Sequence, residues 1–310
     1  MKWQGREESS NIEDRRSQGG GGLGGGLGGG GLGSNPFGSG SGGGFRIPIG
    51  GRSGGLGSIV ILVIFVVIAM ALGINPLTLL TGGDTTTTTS SSPFGQGLPQ
   101  TNAGDDELAQ FVGVVVKDTE TYWTSYFSQH GGTYTAPKVV LYNGQTSSGC
   151  GTADSSAGPF YCPNDRKVYI DLSFYQQLRD QFGAPGDFAQ AYVVAHEVGH
   201  HVQNLLGILP KFNEARQSMT QDQANAYSVK VELQADCFAG MWATGEQKYL
   251  DNGDVDEAIK AANQIGDDTL TRNTISPRQY THGTSAQRMQ WFKTGLQATD
   301  VSQCDTGLPR

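Results

Sequence analysis

Residues 191–206, AYVVAHEVGHHVQNLL, contain the motif HExxH, and the rest of the chain is interpreted around it. Side chains four residues apart lie on one face of an α-helix, so His196 and His200 can bind one zinc ion together. Glu197 is then placed to act on a water molecule at the metal. The apolar flanking residues predict a buried helix, in which these polar groups need a partner such as zinc. The alternative is a pair of core histidines bonded to backbone carbonyls.

A catalytic zinc ion needs a third protein ligand and an open position for water. The metzincin pattern HExxHxxGxxH is excluded, because Gln203 and Leu206 stand where it has Gly and His. Residues 228–242, SVKVELQADCFAGMW, predict a second buried helix on which Glu232 and Asp236 lie four apart. Two carboxylates on an apolar face repel each other unless Glu232 binds the metal and Asp236 accepts the outer N–H of a ligating histidine.

The segments HEVGHH and ELQAD resemble the gluzincin arrangement, in which HExxH is followed by ExxxD. Together with GPFYCP, VYID and THGTSAQR, they resemble the bacterial family of putative neutral zinc metallopeptidases over roughly residues 105–304. The resemblance implies that His196, His200 and Glu232 bind zinc. It also implies that Glu197 is the general base. Asp236 is then not a metal ligand itself but a hydrogen-bond partner of one. It implies peptide-bond hydrolysis without indicating a substrate.

The first 104 residues do not have the composition of a folded domain. Residues 1–57 contain 23 of the 47 glycines and predict a disordered arm. A nucleotide-binding glycine loop is disfavoured, because no strand precedes the tract. Residues 58–80 carry no charge and are long enough to cross a bilayer as one helix. Residues 81–104 are rich in Thr and Ser and predict a linker.

The distribution of charge predicts a topology. All 6 basic residues of the arm precede the apolar segment, and no Lys or Arg follows it until Lys117, so the positive-inside rule places the arm in the cytoplasm. We expect a single-pass protein of the bacterial inner membrane whose domain, residues 105–310, is periplasmic or extracellular. The arm has 6 basic and 4 acidic residues, so the rest of the chain has 15 basic and 25 acidic residues and a net charge of about −10. So acidic a domain disfavours nucleic acid or an anionic membrane surface as a partner, and we expect no nucleic acid.

The chain has four cysteines, an even number that predicts disulfides in an extracytoplasmic domain. Four cysteines allow three connectivities, among which Cys150 with Cys162 would close the natural short loop. Cys237 with Cys304 then joins the C-terminal tail to the helix that carries Glu232. Free buried thiols are the alternative.

The patterns after residue 105 predict an α+β fold, a zincin-like and mostly helical domain with a small antiparallel sheet, preceded by one transmembrane helix. Helices are predicted at residues 105–129, 172–182, 188–206, 221–250, 255–265 and 285–297, with N-caps at Asp187 and at Thr284 or Ser285. Strands are predicted at residues 138–143, 158–162 and 167–172.

One strand is a candidate for binding substrate. Zincins similar to this chain set an edge strand beside the metal, where the substrate backbone adds as a further strand. Val168, Tyr169 and Ile170 are the candidates for this edge. The alternative is a strand that only packs under the active-site helix.

The developing oxyanion needs a donor besides zinc. His282 precedes a predicted helix start, and the other four of the five histidines lie in the active-site helix or at His130. The membrane-associated gluzincins that this chain resembles have THP before a helix with Arg, whereas here Gly283 replaces the proline. The alternatives are Tyr280 as the donor, or a His282 that caps the helix or pairs with an acidic residue.

These features predict a membrane-anchored zinc endopeptidase with one Zn²⁺ per chain and a peptide or protein substrate. The alternative is an inactive, zinc-stabilised envelope scaffold or adaptor. Glu197 argues against the scaffold, because it is not a ligand and has little structural reason to lie over the open metal position. The sequence indicates neither a cleavage specificity nor an oligomeric state.

Overall fold

Helices dominate the computed structural model, which describes residues 1–17 and 103–308. The described helices are α1 (Ala103–Gln129), α2 (Ser173–Asp180), α3 (Asp187–Leu205), α4 (Ile208–Arg216), α5 (Gln221–Gly245), α6 (Asp254–Gln264), α7 (Asp267–Leu270) and α8 (Ser285–Gly295). The strands are β1 (Ile12–Asp14), β2 (Lys138–Tyr142), β3 (Gln145–Ser148), β4 (Gly151–Asp154), β5 (Phe160–Cys162) and β6 (Lys167–Asp171). The α+β class predicted from the sequence is confirmed.

The main sheet is mixed rather than antiparallel. Its strand order is β1-β2-β6-β5, and β3 pairs with β4 in a separate hairpin. Strand β2 lies parallel to both β1 and β6, and only the β5 pairing with β6 is antiparallel. The prediction of an antiparallel sheet is therefore wrong for two of these three pairings. Alternation of residue types predicts a strand but not the direction of its neighbour.

The active-site helix begins differently from the prediction. Gly186, not Asp187, occupies the N-cap of α3. The backbone N–H of Phe188 donates to the side chain of Glu257 on α6 over 3.1 Å. A carboxylate from a distant helix thus satisfies a donor that a local cap would otherwise satisfy. The predicted cap at Thr284 is confirmed, since its side chain accepts from the backbone of Gln287 at the start of α8.

Helix α3 runs through the core of the described domain. It packs against α1, α5, α6 and the sheet strands β5 and β6. Phe188, Tyr192 and Val194 are fully buried in the main hydrophobic cluster. Its polar side chains are therefore held away from water and require hydrogen-bond or metal partners.

The first seventeen residues are folded onto this domain. Strand β1 pairs with β2, with Ile12 opposite Val139. The Trp3 ring packs edge-on against Phe111 of α1 at a centroid distance of 5.5 Å. The Met1 amino group lies 2.6 Å from an oxygen of Asp187. The prediction of a disordered arm is wrong for residues 1–17. It was made from the composition of residues 1–57 as a whole, which the glycines dominate. Residues 18–57 lie outside the described residues.

The predicted transmembrane segment, residues 58–80, and nearly all of the linker at 81–104 also lie outside the described residues. Within residues 1–17 and 103–308, no helix is both long and apolar enough to cross a membrane. The contacts of residues 1–17 with α1 and β2 require both parts to lie on one side of any membrane. A single crossing between them would separate them, so a cytoplasmic arm with an outside domain is inconsistent with this packing.

Both predicted cysteine pairs lie at bonding distance. The sulfur atoms of Cys150 and Cys162 are 2.09 Å apart, and those of Cys237 and Cys304 are 1.99 Å apart. The first bond joins the hairpin of β3 and β4 to strand β5. The second ties α5 to the C-terminal segment, and both pairings predicted from the sequence are confirmed.

Candidate metal centre

Helices α3 and α5 cross closely where the two sequence motifs meet. A Cβ atom added to Gly199 would lie 3.0 Å from the carbonyl oxygen of Ala235, so only glycine permits this approach without displacement. Gly199 lies between the two histidines of HEVGH, and Ala235 lies between the two carboxylates of ELQAD. The contact therefore sets one motif directly against the other.

His196, His200 and Glu232 converge on one point. His196 Nε2 lies 3.1 Å from Glu232 Oε2, and His200 Nε2 lies 3.5 Å from Glu232 Oε1. The three candidate ligand atoms all lie within 4.8 Å of one another. Burial raises the pKa of Glu232, but His200 and His196 outweigh it and hold that pKa well below its ordinary value. Two imidazole nitrogens and a carboxylate are a donor set that fits catalytic zinc.

The outer nitrogen of each histidine is held by a second residue. His196 Nδ1 lies 2.8 Å from Asp236 Oδ1, and His200 Nδ1 lies 2.8 Å from Gln203 Oε1. The Gln203 amide donates in turn to the backbone oxygen of Val231 over 2.7 Å. These bonds orient both rings with Nε2 toward the metal position. Gln203 stands where metzincins have glycine. The sequence argument used it only to exclude that class and did not predict its contact with His200.

Asp236 is fully buried and is kept charged by its neighbours. Arg288 from α8 binds both of its oxygens, over 2.9 and 2.8 Å, and Tyr192 donates its hydroxyl to Oδ1. Burial raises the pKa of Asp236, but Arg288 and His196 outweigh it and leave that pKa at about 2. The predicted hydrogen bond between Asp236 and a candidate ligand, His196, is present. Arg288 was not among the predicted site residues, although it lies in the segment THGTSAQR.

Glu197 lines the same cleft as the three candidate ligands without belonging to their group. Its side chain is buried, and burial raises its pKa above the ordinary value even though His196 and His200 lower it. A carboxylate with a raised pKa is a better proton acceptor near neutral pH. The position and the environment of Glu197 both suit a general base.

His282 also lines this cleft, whereas Tyr280 is not among the described residues that do. His282 Nδ1 lies 3.1 Å from Asp267 Oδ1. The other Asp267 oxygen accepts the backbone N–H groups of Thr281, His282 and Gly283 over 2.7–2.9 Å. Burial lowers the pKa of His282, but the Asp267 hydrogen bond and the charges of Glu232 and Asp267 outweigh it and raise that pKa. Pairing with an acidic residue was the alternative role for His282. In the structure His282 both pairs with Asp267 and lines the cleft.

The backbone conformation explains why Gly283 stands where a THP segment has proline. Its φ angle is +90°, which the ring of proline cannot adopt, and its N–H donates to Asp267. A proline at this position would lose both the turn and one of the bonds that hold Asp267. The THG segment therefore reaches the cleft through a different turn from a THP segment.

The strand proposed for substrate is not an edge strand. Val168, Tyr169 and Ile170 lie in β6, which is hydrogen-bonded to β2 on one side and to β5 on the other. Val168 and Tyr169 are paired on both sides, Ile170 is paired with β2, and Val168 and Ile170 pack in the core with α3. The alternative, a strand that packs under the active-site helix, describes β6 correctly.

Strand β5 forms the edge of this sheet beside the cleft. It pairs only with β6 among the described strands, and Phe160 and Tyr161 line the cleft. His201 on α3 bonds to the hydroxyl of Tyr161 at 3.1 Å and to the backbone oxygen of Thr135 at 2.6 Å. Burial lowers the pKa of His201 to about 4, so its ring is neutral. The third histidine of the motif thus fastens the edge strand to the active-site helix.

Comparisons with known proteins agree with this geometry. The profile of the family described as putative neutral zinc metallopeptidase matches residues 1–307. The uncharacterised protein YpfJ of Escherichia coli strain K12 is 46% identical over 99% of this chain and 98% of its own length. The uncharacterised protein Mb2605 of Mycobacterium bovis is 41% identical over 77% of this chain and 84% of its own length. No solved structure matches. The family match, which extends to the first residues, shows that this chain belongs to the putative neutral zinc metallopeptidase family.

Proposed function

We propose that this chain is a membrane-anchored zinc peptidase that hydrolyses peptide bonds. The observation that carries the proposal is the convergence of two histidine nitrogens and the Glu232 carboxylate beside a buried Glu197 that is not a ligand. A site that only stabilised the fold would be closed by a fourth protein ligand. Among the described residues, the group that could hold the ion offers three.

The chemistry divides between the metal and the protein. Zinc, when bound, lowers the pKa of its water toward about 7 and polarises the scissile carbonyl. Glu197 accepts the proton of the attacking water and later donates it to the leaving amine. Asp236 and Gln203 fix the orientation of the ligand rings throughout.

His282 is proposed to stabilise the oxyanion. Asp267 holds its Nδ1, which leaves Nε2 as the ring atom available to the cleft, and the raised pKa favours the form in which Nε2 carries a proton. A protonated imidazole that lines the cleft is an effective donor to developing negative charge. Tyr280 is less suited to this role, because it is not among the described residues lining the cleft.

Strand β5 takes the place of β6 as the proposed partner of the substrate backbone. Its unpaired edge faces away from β6, and its residues Phe160 and Tyr161 belong to the cleft wall. An extended peptide that pairs with this edge would gain main-chain hydrogen bonds independent of its sequence. This would hold the scissile bond beside the metal position.

The cysteines support an extracytoplasmic location. Disulfides persist in oxidising compartments, and the domain has two pairs at bonding distance. Attachment to the bacterial inner membrane through residues 58–80 stays part of the proposal, but not as a single crossing, because residues 1–17 pack on the domain and lie on its side of the membrane. Impermeant maleimide added to spheroplasts is expected to label Glu7→Cys and Lys211→Cys equally. Labelling of Lys211→Cys alone would contradict the shared side.

The function is tested by peptide profiling with the full-length protein, with added zinc and with a chelator. We expect hydrolysis that the chelator abolishes and zinc restores. Glu197→Gln is the matched variant, since it removes the base while keeping a side chain of the same shape. It is expected to bind zinc as the wild type does and to lose hydrolysis. A wild-type protein that binds zinc and cleaves no peptide would favour the scaffold instead.

A further inference from the structure

A second cavity lies against helix α2, apart from the metal centre. It has a volume of about 740 Å³, within the range of about 300–1,000 Å³ that is usual for small-molecule sites. Phe174 of α2 lines the metal cleft, whereas the next two residues of the helix, Tyr175 and Gln176, line this cavity. No described residue lines both, so the cavity is separate from the cleft.

The cavity is at the carboxyl ends of two parallel strands. Asn143 and Gly144 directly follow β2, Asp171 is the last residue of β6, and all three line the cavity. In open sheets of parallel strands, ligands commonly bind outside the carboxyl ends of the strands. The first residues of the chain complete the wall, since Trp3 and Gln4 also line it.

The charged groups of this wall do not suit an anion. Five of the lining residues are charged, and three of them are already bonded within the chain: Asp171, Asp187 and Arg179. Asp105 and Glu107, which have no ionic partner among the described residues, are both acidic. An anionic ligand would therefore meet two acidic side chains and no unpaired cationic one among the described lining residues.

Neutral polar groups without partners are concentrated in the same wall. Four carboxamide side chains line the cavity, and none is hydrogen-bonded to another described residue: Gln4, Asn143, Gln176 and Gln190. The side-chain oxygen of Gln190 is also buried, as is the hydroxyl of Tyr175, a lining residue that is only 1% exposed. A buried polar atom without a hydrogen bond destabilises the fold unless another group bonds to it. These two atoms therefore indicate a ligand with polar groups of its own.

We propose that this cavity is a second binding site and that its ligand is a neutral saccharide. Each carboxamide offers both donors and an acceptor, and each hydroxyl of a sugar likewise donates and accepts. A cation would use the acceptors alone and leave the amide N–H groups unpaired. Trp3 and Phe111 add apolar surface to the wall, against which the carbon-bearing face of a sugar ring can pack. The site does not depend on the proposed peptidase chemistry.

Calorimetric titration of the full-length protein, in a detergent without a sugar headgroup, tests the class of ligand. The probes are cellotriose and N-acetylchitotriose, which share one skeleton and differ only where acetamido groups replace hydroxyls. We expect at least one of them to bind with a Kd of about 1 mM or lower. Argininamide, the cationic probe, is expected to bind more weakly than that trisaccharide. If neither trisaccharide binds, or if argininamide binds more tightly than both, the proposal is wrong.

Two substitutions test where the saccharide binds. Gln190→Met and Gln176→Met each remove the donors and the acceptor of one carboxamide while keeping a side chain of similar length. Each is expected to weaken saccharide binding about fivefold. Gln177→Met is the matched control and should bind as the wild type does, since Gln177 neighbours Gln176 on α2 but is not among the lining residues. Gln176 is exposed, so its variant decides the question even if Gln190→Met does not fold. Wild-type affinity in the folded Gln176 and Gln190 variants would refute the site.

A chelator separates this site from the metal centre. We expect the same saccharide affinity with added zinc and with a chelator, because no described residue lines both the cavity and the metal cleft. Saccharide binding that disappears with the chelator would place the sugar at the metal centre and overturn the proposal. This measurement needs no peptide hydrolysis, so the second site and the peptidase function stand or fall separately.

Discussion

Arg6→Ala tests whether the first residues are a structural part of the domain. The Arg6 guanidinium pairs with Asp118, lies 3.6 Å from Glu246, and stacks 3.3 Å above the ring of Tyr249. The Asp118 and Glu246 side chains are only 7% and 8% exposed. Removing one partner of a buried pair costs about 3–5 kcal/mol, because the remaining charge is left without compensation. Arg6 itself is 17% exposed, so we expect the lower end, about 3 kcal/mol of unfolding free energy.

The loss of stability should depend on pH. Burial and the charge of Glu246 raise the pKa of Asp118 to about 7, even with Arg6 beside it. The folded state then binds more protons than the unfolded state between about pH 4 and 7, so stability falls as the pH rises through this window. Without Arg6, the pKa of Asp118 rises further, and the fall continues above pH 7. The destabilisation by Arg6→Ala is therefore expected to be larger at pH 8 than at pH 5.

Urea denaturation of the full-length protein at both pH values measures this effect. Lys2→Ala is the control, because the Lys2 and Asp251 side chains are 65% and 51% exposed and their pair contributes at most about 1 kcal/mol. A loss below about 1 kcal/mol for Arg6→Ala, or the same loss at pH 5 and pH 8, would refute the packing of residues 1–17 on the domain.

Three further changes test the metal site and its support. Glu232→Ala is expected to weaken zinc binding by about 10²-fold or more, measured by metal competition, and unchanged affinity would remove Glu232 as a ligand. His282→Ala is expected to lower kcat by about 10²-fold while zinc content stays constant. An unchanged kcat would transfer its role to Tyr280 or to water. Cys304→Ser opens the bond to Cys237, whose loop of 67 residues is worth about 4 kcal/mol in the chain-entropy model, so the urea midpoint is expected to fall. An unshifted midpoint would show that this bond contributes little.

The convergence of the candidate ligands could be predicted because helical spacing is a local property. His196 and His200 share a face of α3, and Glu232 and Asp236 share a face of α5, whatever the rest of the chain does. The cost of burying these groups in apolar helices then indicated that the histidines and carboxylates lie together, and His196 is indeed beside Glu232 and Asp236. Gln203, Asp267 and Arg288 were missed because their roles depend on how distant helices pack. The segment THGTSAQR was quoted only for the family resemblance, and no local pattern shows that Arg288 reaches Asp236.

The sheet was harder to predict for a related reason. The residues of β6 show a typical strand pattern, but whether a strand lies at an edge depends on its neighbours. One of the strands in that sheet, β1, has only three residues and comes from a segment dominated by glycine further on. Both neighbours of β6 were predicted as strands, but nothing in the sequence shows that β2 and β5 flank it, so β6 was assigned to the edge that β5 occupies.

The pairing of β1 with β2 also constrains how the protein is made. Ile12 leaves the ribosome long before its partner Val139. The side of β2 that faces β1 therefore stays unpaired until the earlier segment reaches it. The β2 sequence KVVLY is almost entirely buried in the finished fold. An open apolar strand of this kind is a template for association with other chains. A truncated chain that begins at α1 would keep all the proposed metal ligands but would leave one side of β2 unpaired. Loss of activity in such a chain would then reflect aggregation and not a defective metal site.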